Sequence, residues 1–126
     1  LDKLNLVSNA GETGAYLNKA MADALGDHAN VGQIRGEGML CAVELVEDRA
    51  NKKPFEPSVQ IGERIKAAAF AAGLMVYPGA GTIDGVQGDH ILIAPVAGMD
   101  EADLTRIADG LAEAIDKAVA EIGDKK

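Results

Sequence analysis

A chain of 126 residues has room for one modest hydrophobic core and not for two. Its formal charge of −8 and its scattered cations weigh against nucleic acid as a partner, because a polyanion site needs clustered Lys and Arg to displace counterions. With 48% apolar residues but only 3% aromatics, the core has to be assembled from Ala, Leu, Ile and Val, whose small helix faces suit close docking against a larger body.

The chain opens at Leu1 within a helical pattern and without a charged-then-apolar leader, which points to an upstream region. Leu4, Val7, Gly11, Gly14, Leu17, Met21 and Leu25 recur every three or four residues and predict a helix stopped by Gly26. Interior glycines cost a helix roughly 1 kcal/mol each relative to Ala. Gly11 and Gly14 therefore mark a place where another backbone crosses closely. Asp27 to Asn30 form a polar turn in which His28 reads as solvated.

Val31 to Val46 reads as an extended segment, a glycine-spaced turn running into an apolar strand over Met39 to Val46. Gly32, Gly36 and Gly38 bracket Arg35, so the backbone can take positive φ or approach a neighbour closely around one fixed cation. Arg35, Gly36 and Gly38 are read as structural, Arg35 through an ion pair or carbonyl contacts. Cys41, the lone cysteine, excludes an internal disulfide and fits a reducing compartment, with the cytoplasm as the expected location. Within an apolar strand it reads as a buried structural thiol.

Glu47 to Pro57 is polar and holds two prolines around Phe55, so an exposed loop with one aromatic anchor is expected. Ser58 is placed to cap a helix whose Ile61, Ile65, Ala68 and Ala72 share a face and which Gly73 ends. A strand over Leu74 to Tyr77 follows. Pro78 to Gly88 holds four glycines and a proline and reads as irregular, the best candidate for a functional loop. His90 to Ile93 reads as a last strand, and the block from Gly88 to Pro95 is placed as partner to Val31 to Val46. Asp100 then caps a helix with Leu104, Ile107, Leu111, Ala114, Ala118 and Ile122 on one side, and Lys125 and Lys126 form a solvated tail. The fold class is α/β, a small, mainly antiparallel sheet covered by helices, in one domain over residues 1–126. No run approaches the ~20 apolar residues of a membrane span, so the chain reads as soluble with no membrane partner.

The order of motifs resembles the C-terminal small domain of class III pyridoxal-phosphate-dependent aminotransferases, the ω-amino acid transaminase group. The matching pieces are Val31 to Met39, Glu44-Leu45-Val46, Lys53-Pro54-Phe55, Gly73 to Val76, and Gly88-Asp89-His90 leading to Ala94-Pro95 and the closing helix. The resemblance implies the fold-type I architecture, pyridoxal 5'-phosphate as cofactor of the complete enzyme, and a homodimer. It also implies transfer of an amino group from an amine or amino acid to an oxo acid such as pyruvate. It places the Schiff-base lysine in a large domain upstream, so no catalytic residue is expected within these 126 residues and the segment alone is expected to be inactive.

In that family the small domain closes over substrate, and in many members an arginine near the loop before the last strand takes a carboxylate bidentately. Here Asp84-Gly85-Val86-Gln87 holds no arginine, and Val96 stands where a second proline often follows Ala-Pro. The substrate-binding candidates are Tyr77, at the end of a strand beside the glycine loop, and His90, which either carries protons near neutrality or serves as a hydrogen-bonded structural imidazole. No phosphate-loop or metal-ligand motif is formed. The alternative from another class is a freestanding, non-catalytic ligand-sensing or regulatory α/β module with its pocket at the Tyr77 to Gly88 loop.

Overall fold

The computed structural model describes residues 5–96 and 99–124, excluding the side chain of residue 124. Leu1, Leu4 and the Lys125-Lys126 tail, all invoked above, lie outside the described residues. The elements run α1 (Leu6–Leu25), β1 (Val31–Glu37), β2 (Leu40–Leu45), α2 (Ile61–Ala71), β3 (Tyr77–Ala80), β4 (Asp89–Ile93) and α3 (Glu101–Asp124). The strands form one sheet in the order β1-β2-β4-β3, antiparallel at every step. A small antiparallel sheet with three helices is the expected class.

The segment Val31 to Val46 is a hairpin rather than one extended run. Glu37 pairs with Leu40, so the chain reverses across Gly38-Met39, and Gly38 sits at φ 57, the positive value that a two-residue hairpin turn demands. α1 crosses this turn. A side chain at Gly14 would strike the carbonyl of Gly38, which is why the helix accepts glycine there, whereas Gly11 faces open space. Below Gly14 the helix buries Leu17, Met21 and Leu25 against the sheet.

Two boundaries shift. Ser58 caps nothing: Pro57–Val59 winds one 3₁₀ turn, Gln60 takes a left-handed φ of 52, and α2 starts at Ile61. The third strand begins at Tyr77, not Leu74, because the Leu74 N–H is spent closing α2 on the Ala69 carbonyl at 2.8 Å, and β4 supplies partners only from Tyr77 onward. Phe55 is 5% exposed and anchors its loop in the core.

α1 packs on β1 and β2, α2 packs on β3 and β4, and α3 lies against both helices. Asp100 caps α3, its Oδ1 accepting the Asp103 N–H at 2.8 Å. The buried stripe of α3 is Leu104, Ala108, Leu111, Ala114, Ile115 and Ala118, with Ile107 and Ile122 at its margin. His28, read as a solvated turn residue, is instead a tie between elements: its Nδ1 accepts the Asn30 N–H at 3.0 Å, so its Nε2–H donates to Asp116 on α3 at 2.6 Å. Along the strands Cys41, Val43, Leu45, Ile91 and Ile93 point into the core beneath the helices. Alternate residues must then face the other way.

Candidate functional site

That opposite face is built from two complete cross-strand rows. One runs Arg35, Ala42, Leu92, Tyr77; the other runs Gln33, Glu44, His90, Gly79. Tyr77 and His90, proposed separately from sequence, therefore stand on one face of adjacent strands in neighbouring rows. Arg35 ends the row that Tyr77 begins, about 14 Å away at three strand spacings.

Each side chain is held differently. Tyr77 is 71% exposed on the edge strand. The His90 imidazole lies over Gly79, where any Cβ would collide with the ring, and its Nδ1 is 2.7 Å from the Thr82 hydroxyl. No other hydrogen-bond partner of the His90 ring occurs among the described residues, so Nε2 is the ring atom available to a ligand. Thr82 escaped the sequence reading; the signal was the glycine at Gly79, which only a ring or a backbone packed flat against the strand explains.

Arg35 is a surface group, its guanidinium 3.0 Å from both Glu44 Oε2 and Gln33 Oε1 and its side chain 48% exposed. It joins β1 to β2 across the uncovered face. Gly36 faces the core side of the hairpin, where a Cβ would strike the Asn18 side chain of α1, and Gly38 makes the turn.

The loop between β3 and β4 is more ordered than its glycine content suggests. Thr82 N–H donates to the Gly88 carbonyl at 3.2 Å and Ile83 N–H to that of Gln87 at 2.9 Å, continuing the hairpin past its strands. At the tip, Asp84 Oδ1 accepts the N–H groups of Gln87 at 2.7 Å and Val86 at 2.9 Å, and these bonds hold its carboxyl below the ordinary range. Gly81, Gly85 and Gly88 take φ of 75, 87 and 97, so this closure is available to few other residues. Ile83 and Val86 are left exposed beside it. On the core side Asp89 is 8% exposed, and burial pushes its carboxyl up, with the adjacent His90 pulling the other way to a smaller extent.

Lys19, Lys52, Lys53, Lys66 and Lys117 are all exposed. None offers the desolvated amine that a Schiff base with an aldehyde cofactor calls for, so the described residues do not fit the covalent seat of pyridoxal phosphate. No group of three or more His, Cys, Asp or Glu suited to a metal occurs among the described residues. No described helix is long and apolar enough to cross a membrane. Burial pushes the Cys41 thiol up, away from a reactive thiolate. A separate open groove of about 890 Å³ lies between the end of α2, the end of β4 and the start of α3, lined by Leu74, Met75, Pro95, Met99 and Ile107.

No family model matches the chain. It is 43% identical over 112 residues to an aminotransferase of Gibberella zeae, which covers 88% of this chain and 22% of that protein. It is 44% identical over 75 residues to a diaminobutyrate–2-oxoglutarate transaminase of Halomonas elongata, across 60% of this chain and 16% of the relative. Among solved structures, a transaminase from directed evolution by ancestral reconstruction superposes with a TM-score of 0.83 at 32% identity, over 95% of this chain and 25% of that one. The chain thus spans about a quarter or less of the proteins it matches. In sequence and in fold it belongs to the class III aminotransferases, as their C-terminal domain.

Proposed function

We propose that the chain is the substrate-enclosing C-terminal part of a cytoplasmic, homodimeric enzyme that moves an amino group from an amine or amino acid to an oxo acid such as pyruvate. Pyridoxal phosphate, held by the remainder of the polypeptide, supplies the electron sink when bound. The observation that carries this reading is the meeting of Tyr77 and His90 on one uncovered sheet face beside the glycine loop, in a fold shared with transaminases. Tyr77 offers a phenol to substrate. His90 offers Nε2 from a ring fixed by Thr82 and Gly79.

Between Tyr77 and Gly88 the chain carries neither Arg nor Lys. A distal acceptor carboxylate would find no charge-assisted donor there, a loss of roughly 1.5 to 3 kcal/mol, or about ten- to a hundredfold in specificity. The complete enzyme is therefore expected to use pyruvate at least as efficiently as 2-oxoglutarate, in contrast to the acceptor named for the Halomonas relative. Catalytic efficiencies for the two acceptors test this, and a strong 2-oxoglutarate preference that survives Tyr77→Phe and His90→Ala removes the loop from specificity. The 126-residue chain, incubated with cofactor and reduced with borohydride, is expected to carry no stoichiometric label. One lysine labelled at full occupancy would place the covalent chemistry inside it.

A further inference from the structure

The two nitrogens of the His90 ring have unequal surroundings. The ring leans from β4 over the edge strand, where the Cβ that Gly79 lacks would come nearer to Nε2 than to Nδ1. Nε2 thus lies over Gly79, two residues from Tyr77 on the same side of the pleat, while Nδ1 turns toward the loop and meets the Thr82 hydroxyl at 2.7 Å. Glu44, the neighbour of His90 on β2, keeps its carboxylate on Arg35, and Asp89 turns to the core side. Neither hydrogen-bonds the ring.

Hydroxyl and imidazole can each donate in that 2.7 Å contact, and what remains unpaired decides between them. If Nδ1–H donated, the hydroxyl hydrogen and the bare Nε2 lone pair would both be left for water or ligand, because neither group has a further partner among the described residues. If the hydroxyl donates, Nε2–H alone is left, and the ring keeps the tautomer that a neutral histidine side chain intrinsically prefers. Resting on the reading of Tyr77 and His90 as substrate contacts, we infer that Thr82 is the positioning residue of this site: its hydroxyl donates to Nδ1 and fixes His90 as the Nε2–H tautomer. His90 is then a hydrogen-bond donor to a substrate oxygen, not a proton acceptor. The matching group is the carboxylate of an oxo acid, which only accepts, and the Tyr77 phenol offers a second uncharged donor on the same side. A substrate ammonium, which only donates, finds no acceptor at Nε2. The hairpin thereby favours the acid end of a substrate without an Arg or Lys between Tyr77 and Gly88.

The test uses the full-length enzyme and four variants: Thr82→Val, which keeps the side-chain shape and the loop's backbone bonds, Thr82→Ser, His90→Gln and His90→Ala. Nitrogen NMR of protein labelled in its histidine rings, with His90 assigned by its loss in His90→Gln, is expected to show Nε2 protonated and Nδ1 bare, and a mixture of tautomers in Thr82→Val. KM for pyruvate is expected to rise about two- to tenfold in Thr82→Val and in His90→Ala, the range of one lost neutral hydrogen bond, with kcat little changed. It should return toward the starting value in Thr82→Ser and in His90→Gln, whose amide donates from the place of Nε2. A protonated Nδ1 in the unsubstituted enzyme overturns the inference. So does a Thr82→Val enzyme with unchanged KM when that of His90→Ala rises, a result that leaves His90 standing as a substrate contact. If His90→Ala changes neither constant, the functional reading of His90 falls, and the role given to Thr82 falls with it.

Discussion

Gly79→Ala isolates the packing that fixes the candidate imidazole. Gly79 is not among the glycines with positive φ, so its backbone accepts alanine without strain, and whatever the substitution costs must come from the new methyl group. That methyl lands on the His90 ring, within 3.1 Å of Nδ1 and closer still to Cε1. The ring has to turn away and give up the 2.7 Å contact with Thr82. Losing one hydrogen bond removes about 0.5–1.5 kcal/mol, and an off-rotamer ring adds about 0.5–1.5 kcal/mol. Against this, alanine restricts the unfolded chain and returns about 0.4–1 kcal/mol. Urea denaturation is thus expected to show a loss of about 0.5–2 kcal/mol. In a His90→Ala background both the collision and the hydrogen bond are gone, so the same substitution becomes neutral or slightly stabilising, a coupling of about 1–3 kcal/mol in a double-mutant cycle. An equal cost in both backgrounds would refute the reasoning, since the glycine would then answer to backbone and not to the ring.

Three further outcomes follow from the geometry. Arg35→Ala should lower stability by only about 0.2–1 kcal/mol, the range of a solvent-exposed pair, and should be nearly silent once Glu44→Ala is present; a loss above 2 kcal/mol would mean a buried network. Asp100→Ala removes the acceptor for the Asp103 N–H and is expected to cost about 1 kcal/mol in thermal or urea melts, whereas Ser58→Ala should change little because Ser58 caps no helix. Burial raises the Asp89 carboxyl above its unfolded value, so the folded state binds the proton more tightly, and stability falls as pH rises through and above the ordinary carboxylate range. Asp89→Asn should accordingly stabilise the protein at pH 7 and give no gain at pH 3; an equal gain at both values would point to packing instead of charge.

Local patterns carried the helices well and the strands less well, for a reason visible at particular residues. The α1 stripe of Leu17, Met21 and Leu25 obeys the helical period because one face of a long helix meets one core; the helix ends at Leu25, although Gly26 is still right-handed at φ −56 and donates to the Ala22 carbonyl. α2 drifts by one residue, burying Ala69 where Ala68 and Ala72 were expected, because Gly62 admits Pro78 of β3 and so selects the face that meets the sheet. Strand limits depend on partners distant in sequence. Nothing within Leu74 to Val76 says that the chain will pair only from Tyr77, since that is decided by β4 through Tyr77 with Leu92 and Ala80 with Asp89. The turn at Gly38 was visible as glycine spacing, yet its consequence, Val31–Glu37 folding back on Leu40–Leu45, needed the register.

The candidate site was legible as residue types and illegible as an arrangement. Tyr77 and His90 are thirteen positions apart, and sequence alone gives no reason for them to share a face. They do so because the β3–β4 hairpin closes with Gly79 opposite His90, which puts Tyr77 two residues further along the same side of the pleat. That register depends on the loop: Gly81, Gly85 and Gly88 supply the positive φ values, and Asp84 ties the tip to Val86 and Gln87. A one-residue slip would turn His90 into the core and Asp89 out to solvent. The buried carboxyl of Asp89, unfavourable by itself, is thus coupled to the outward placement of His90. The positive-φ glycines of the loop thus help fix which face of β4 carries His90.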